Sequence, residues 1–281
     1  MFVSRLARRP AALFGLAVVL IVGLAAVLAP QLAPYPPDEQ FFDGLSLEGA
    51  PLPPSERFWL GTDLLGRDLL SRLIYGARTS LMSALLGNGT AVLFGTAMGV
   101  VAGYVRGWPG AAIMRFTDLM MAFPSLLLAI ALAAIFRPSL WIVAMVIALV
   151  NGVQIARVVY TETTALTERE FVRASRAIGA GPWRILLIHV IPHLVPTMLV
   201  WGTLGIATTV LLEATLSFLG VGVQPPMPSW GNIVFENQTW FATAPWLVFI
   251  PGAAILLLAL SFNLLGDALR DALDPTQRDR D

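Results

Sequence analysis

Long apolar runs alternate along this chain with short polar or glycine- and proline-rich breaks, and the runs predict membrane-crossing helices. They extend roughly over Pro10–Ala29, Thr79–Val105, Ala111–Phe136, Leu140–Tyr160, Leu194–Leu219 and Leu247–Leu265. Each approaches or exceeds the ~18 apolar residues that mark a spanning segment. Arg5, Arg8 and Arg9 precede the first run, which is longer than the roughly 7–15-residue core of a cleaved signal and so predicts a retained helix. The pattern predicts an all-α membrane protein with six transmembrane helices. Its divisions are 1–30 (amino-terminal tail and first helix), 31–78 (outer loop), 79–265 (five-helix core) and 266–281 (tail).

The breaks differ in kind. From Pro30 to Arg78 the chain is polar and proline-rich, with early acids at Asp38, Glu39, Asp43, Glu48 and Glu56. It closes on Leu69, Leu70, Leu73, Ile74 and Ala77, one apolar helical face ringed by Arg67, Ser71, Arg72 and Arg78, which predicts an amphipathic helix along the membrane surface. Gly95, Gly99 and Gly103 give two overlapping G-x-x-x-G steps in the second run and predict close packing against a neighbouring helix. Short turns are predicted at Arg106-Gly107-Trp108-Pro109-Gly110 and at Arg137-Pro138-Ser139.

The break at 161–192 is a charged, helix-forming segment between two spans. Thr167 and Glu170 fit a capping box, and Phe171, Ala174 and Ile178 make a narrow apolar stripe with Arg169, Arg173 and Arg176 around it. Gly179-Ala180-Gly181 breaks that helix. Pro182 suits the first turn of a second one, whose apolar face is Trp183, Leu186, Leu187, Val190 and Ile191 and whose end is Pro192. The reading is an elbow of two short helices, outside the bilayer but pinned to it at both ends.

Composition agrees: 57% of residues are apolar and 13% charged, against roughly half and a quarter in soluble domains. Net charge is zero, so no nucleic-acid-binding surface is implied. There is no cysteine, hence no disulfide or thiolate site, and no lysine, hence no phosphate-binding Walker A loop. If ATP drives this protein, another subunit binds it. No nucleophile–base pair or metal cluster emerges, which weighs against a membrane-embedded enzyme. With the amino terminus inside, thirteen arginines fall on the inner side against five (Arg57, Arg67, Arg72, Arg78 and Arg137) on the outer, so both termini and the elbow are predicted to be cytoplasmic.

The segment Thr167–Pro192 resembles the EAA loop of ABC importer permeases, the cytoplasmic elbow that docks on the ATPase. Gly179 falls on that motif's glycine and Pro192 on its closing proline; Ala174 and Ser175 occupy its small-residue pair, with Arg173 in place of the name-giving glutamate. EFVRASRAIGA…PWRI…HVIP is most similar to the dipeptide and oligopeptide branch. That branch carries an arginine before His189 and an asparagine after Pro192, where this chain has Ile188 and His193. GTDLLGRDLLSRLIYGARTSL, Glu213–Gly231 and Phe262–Pro275 resemble the same branch, so the likeness spans about Arg57 to Pro275.

The resemblance implies the type I ABC importer permease fold and a role as the C-type permease of a peptide importer in a bacterial cytoplasmic membrane. It implies a second, related permease, two ATPase subunits holding ATP and Mg2+, and an extracytoplasmic binding protein, with no cofactor in this chain itself. It further implies that Glu170, Arg173, Ala174, Ser175, Gly179, Pro182, Trp183, Arg184, His189 and Pro192 form the ATPase-coupling set. Nickel chelates or glutathione are the alternative cargoes. An ion-driven secondary transporter is the alternative class, and it would work without an ATPase.

Polar residues inside the spans complete the reading. Glu213, within the fifth run, either faces the path as a gate or subunit interface, or bonds between packed helices. Asp118 is expected to pair with Arg115, three residues earlier, near the inner end of the path. Asn151 and Gln154 line the path or bond between helices. His189 and His193, one turn apart, lack the carboxylate a metal site would need and are read as contacts of the ATPase or the membrane surface.

Overall fold

The computed structural model describes residues 9–105, 107–136 and 139–273. Arg5, Arg8, Arg106, Arg137-Pro138 and the tail 274–281, with Pro275, Arg278 and Arg280, lie outside the described residues. Among those described, the ordered secondary structure is helical apart from two isolated bridges in the outer loop, Leu45 with Pro51 and Thr62 with Asp68. In chain order the helices are α1 (Pro10–Val27), α2 (Ala29–Leu32), α3 (Leu69–Tyr104), α4 (Trp108–Met121), α5 (Ser125–Ile135), α6 (Leu140–Thr167), α7 (Glu170–Ala177), α8 (Pro182–Ile185), α9 (Ile191–Phe218), α10 (Trp230–Asn237) and α11 (Trp246–Leu273).

Among the described residues, five helical stretches are long and apolar enough to cross a membrane, and α4 with α5 make a further apolar pair bent by 95° at its break, where the third crossing was expected. Pro124 sits at the break with ψ near 124°, because its ring blocks the helical path and it donates no N–H. α5 then places Ala129 and Ala133 in one buried cluster with Val143 and Ile147 of α6.

The predicted surface helix is absent. α3 starts at Leu69 and runs unbroken to Tyr104, and most of the polar ring is interior: Ser71 and Arg72 are as buried as Leu69, while Arg78 is exposed. Asp68 caps it, accepting from the Ser71 backbone N–H at 2.7 Å and from the Ser71 hydroxyl at 2.6 Å. An apolar stripe beside charges reads the same whether the charges meet water or partners. Here Arg67 and Arg72 meet partners.

The glycines of α3 lie against α6. A Cβ on Gly99 would sit 2.6 Å from the Ala156 carbonyl oxygen and 2.7 Å from Val159 Cβ, and one on Gly103 would sit 2.8 Å from Thr163 Cβ. This close approach supplies the van der Waals contact that holds helices together in lipid. Gly99→Leu is therefore expected to lower stability by about 1–3 kcal/mol through overpacking. Gly89→Leu, on the same helix with nothing near its Cβ direction, should be tolerated. Thermal denaturation in detergent compares the two, and equal losses would reject close packing as the cause.

α9 continues where Pro192 was expected to stop a helix. Leu186–Val190 forms one wider π turn, with the Ile191 N–H reaching the Leu186 carbonyl, and the helix runs on to Phe218. The bulge loosens the ladder where Pro192 cannot donate, so proline sits inside a continuous rod. α11 likewise continues past Leu265 to Leu273, where Asp271 pairs with Arg9 before α1. The beginning of α1 and the end of α11 thus meet at one end of the bundle.

Candidate functional site

The elbow is built by local rules. α7 ends in a Schellman motif: Gly179 takes φ +86°, its N–H meets the Arg176 carbonyl at 3.0 Å, and the Ala180 N–H meets the Ser175 carbonyl at 3.0 Å. Pro182 then opens α8, as its sequence position predicts. The capping box does not form. α6 runs seven residues past Tyr160, Thr167 donates its hydroxyl to the Thr164 carbonyl at 2.8 Å, and Arg169 takes the cap position without a side-chain bond. The arm entering the elbow is thus a rigid extension of a membrane helix.

The faces also differ from the periodicity reading. Val172, Ile185 and Val190 are the buried residues, packed with Leu194 and with Ile155 and Val159 of α6. The stripe Phe171, Ala174 and Ile178 turns outward. Ile178 is 86% and Trp183 75% exposed, and Leu187 is exposed beside them. Large apolar side chains left uncovered on an extramembrane segment mark a docking surface.

Arg173 pairs with Glu168 at 2.5 Å, and Arg176 lies over the Tyr104 ring, 5.4 Å from its centroid. Glu170, Arg184 and Pro192 are exposed. Ser175 donates to the Phe171 carbonyl at 2.8 Å and lies 3.2 Å from His189 Nε2. His193 stacks on Phe171 and gives its Nδ1 proton to the His189 carbonyl at 2.6 Å. The two histidines thus brace α7 against the start of α9.

Above the elbow a groove of about 800 Å³ opens between α3, α5, α6, α9 and α11. Its polar lining is Asn88, Ser125, Asn151, Gln154, Glu162, Thr197, Thr208, Thr215 and Arg270, set among apolar residues such as Trp201 and Leu204. Thr197 donates to Glu162 Oε1 at 3.0 Å, clasping α6 to α9 at the base of the elbow. Asn151 both lines the groove and donates to Thr209 at 3.1 Å, and Asn88 donates to the Gly202 carbonyl at 2.6 Å.

Of the four intramembrane residues singled out, Glu213, Asp118, Asn151 and Gln154, only Asn151 and Gln154 reach this groove. Asp118 pairs not with Arg115 but with Arg157 of α6 at 3.1 Å, tying α4 to α6. Glu213 is fully buried, accepts from Ser217 at 2.8 Å, and is absent from the groove lining. That bond runs one turn along the same helix. Glu162, Asn88, Thr197 and Arg270 went unrecognised; Glu162 and Arg270 both lie past the expected ends of their spans.

A second cluster, also unrecognised, closes the opposite end. Arg67 Nε donates to Asp63 at 2.6 Å and its Nη2 to Glu236 at 2.6 Å; Arg72 reaches the same two carboxylates at 3.2 and 2.8 Å. Arg72 is 1% exposed. Burial pushes the carboxyls of Asp63 and Glu236 above the usual carboxylate range, while Arg67 pulls both back. The four charges lock the outer loop and α10 onto the start of α3.

A bundle of membrane helices with a polar inner groove and an apolar-faced elbow defines a transport permease. The chain belongs to the family of binding-protein-dependent transport system inner membrane components, whose family model matches residues 95–279. A second model, the N-terminal transmembrane domain of oligopeptide transport permease C, matches residues 1–54. The chain is 42% identical over 281 residues to the di/tripeptide transport system permease protein of Pseudomonas aeruginosa, covering 98% of this chain and 91% of that protein. It is 41% identical to the dipeptide permease of Haemophilus influenzae (94% and 90% covered) and 40% identical to the glutathione permease of Pectobacterium atrosepticum (93% and 85%). In fold it is similar to the methionine ABC transporter MetNI in an inward-facing conformation, with TM-score 0.59 at 18% identity, covering 73% of this chain and 98% of that one. Membership implies partnership with an ATPase and a binding protein.

Proposed function

We propose that this chain is one of two related permeases of an ATP-driven importer of di- and oligopeptides, its groove forming half of the translocation path. The cargo class is supported by the relatives of near-full coverage, two of them named for di- or tripeptides. Glutathione is the second reading, favoured by the relative named for that γ-linked tripeptide. ATP and Mg2+ belong to two partner ATPase subunits, because a chain without lysine offers no Walker A loop.

The observation that carries the coupling role is the elbow itself: a turn at Gly179 that leaves Ile178, Trp183 and Leu187 exposed. Glu170, Arg173, Ala174, Ser175, Pro182, Arg184, His189 and Pro192 shape or flank that face. In this reading ATP-driven closure of the ATPases moves the elbow, and α6 and α9, clasped by Glu162 and Thr197, carry the movement to the groove. Both termini and the elbow lie in the cytoplasm. The arginine bias supports this, as does Arg270, near the end of α11, lining the groove beside Glu162.

The test is purification of the tagged permease from membranes, followed by uptake in proteoliposomes. ATPase subunits should co-purify, and labelled dipeptide should accumulate only with internal ATP and external binding protein. Uptake driven by an ion gradient without ATP would reject the reading. Competition between dipeptide and glutathione for the binding protein separates the cargoes. Glu162→Ala is expected to lower uptake more than ATP hydrolysis, and a proportional fall in both would argue that the clasp is merely structural.

A further inference from the structure

A second groove, of about 480 Å³, opens between the first turns of α3, the start of α6, the loop before α10 and the outer loop, an ordered cap on the bundle. Its walls are mostly apolar, with Tyr75 and Met82 of α3, Trp141 of α6 and Met227 of the loop. Two opposite charges stand in them, Arg78 of α3 and Asp38 of the cap. The cap is fixed where it supplies Asp38. The Tyr35 N–H donates to the Ser71 hydroxyl of α3 at 3.1 Å, and the rings of Tyr35 and Phe41, on either side of Asp38, meet edge to face with centroids 4.8 Å apart. Arg67 and Arg72 are both paired with carboxylates. Among the described residues, neither Arg78 nor Asp38 has a hydrogen-bond or ion-pair partner.

The groove lies where lipid headgroups meet the bundle. α3 has 36 residues and is about 54 Å long against a hydrocarbon layer of ~30 Å, so its outer turns stand in the headgroup region. Trp141, 66% exposed in the first turn of α6, is the residue type that gathers at that boundary. Below Arg78, the same face of α3 exposes Met82, Leu85, Gly89 and Leu93, in steps of three or four. A charged head over an apolar strip selects an amphiphile. A free zwitterion would leave the strip bare, and an acidic lipid would set its charge against Asp38. We infer that the groove binds one phospholipid with a primary-amine headgroup, as in phosphatidylethanolamine, its phosphate at Arg78, its ammonium at Asp38 and an acyl chain along the strip. The site needs only a bundle in a bilayer, so it stands whether or not uptake proves ATP-driven.

The experiment uses the purified permease complex, stripped of lipid in detergent and titrated with dioctanoyl phosphatidylethanolamine, phosphatidylcholine and phosphatidylglycerol, with bound lipid counted by native mass spectrometry. The ethanolamine lipid should bind about tenfold more tightly than the choline lipid, whose ammonium has no N–H to donate. Arg78→Gln should weaken the ethanolamine lipid by about tenfold. Asp38→Asn should abolish its advantage over the choline lipid while choline-lipid binding persists. Equal recovery of the complex shows that the variants fold. Glycerophosphoethanolamine, the same headgroup without acyl chains, should bind at least about tenfold more weakly, because the strip is then unused. Equal affinity for the three lipids, or an ethanolamine preference that survives Asp38→Asn, would overturn the site. So would displacement of the lipid by a dipeptide, which would make the groove a vestibule for cargo. A benzophenone at Trp141→Cys that cross-links only to the second permease, and not to lipid, would overturn it too, because protein would then cover the strip.

Discussion

Replacing Gly179 by valine is expected to cut ATP-driven uptake by about tenfold, the scale of a typical coupling free energy of about 1–3 kcal/mol, while the chain stays folded in the membrane. The reason is backbone geometry alone. Gly179 has φ +86°, and a Cβ there would meet nothing within 4 Å, so no clash complicates the result. A branched L-residue in this conformation costs about 1–2 kcal/mol, which the elbow escapes by abandoning its Schellman turn. α8 then leaves α7 in another direction, and Trp183 and Leu187 no longer share a face with Ile178. Asparagine tolerates the left-handed region, so Gly179→Asn should keep most of the uptake. Uptake and ATP hydrolysis measured together in proteoliposomes read the outcome: hydrolysis should persist where uptake falls. A valine variant that transports normally would remove the elbow from the coupling mechanism.

The second large effect is expected at Arg72. Arg72→Met leaves Asp63 and Glu236 sharing Arg67 alone, with an uncompensated buried charge between them. Breaking a buried ionic cluster in this way costs about 3–5 kcal/mol, although the intact cluster adds little net stability over an apolar one. The melting temperature in detergent should drop, and the outer cap should become protease-sensitive before the bundle does. Adding Glu236→Gln to Arg72→Met should recover part of the loss, because neutralising one carboxylate restores the balance with Arg67. Additive losses in the double variant would mean that the four side chains do not act as a unit. The cluster fixes where the cap sits.

What was legible in the sequence lies within a helical turn or depends on summed hydropathy. The crossings follow from apolar runs too long for anything but a membrane, and the elbow's bend from Gly179 and Pro182, whose conformational limits act on their own backbone. The close packing of Gly99 and Gly103 was legible for the same reason, since a missing side chain permits approach whatever the partner. What only the tertiary structure decided is which faces meet. Arg72 reads as a surface residue until Glu236, far along the chain, arrives beside it. Asp118 reads as Arg115's partner until α6 brings Arg157 within 3.1 Å. Pro192 reads as a stop until a π turn absorbs its missing donor, and Glu213, read either as a gate or as a packing residue, lies fully buried with a bond to Ser217 of its own helix. In each case the side chain's chemistry was plain and its neighbour was not, because a charge's effect depends on what helix packing sets within a few ångströms of it.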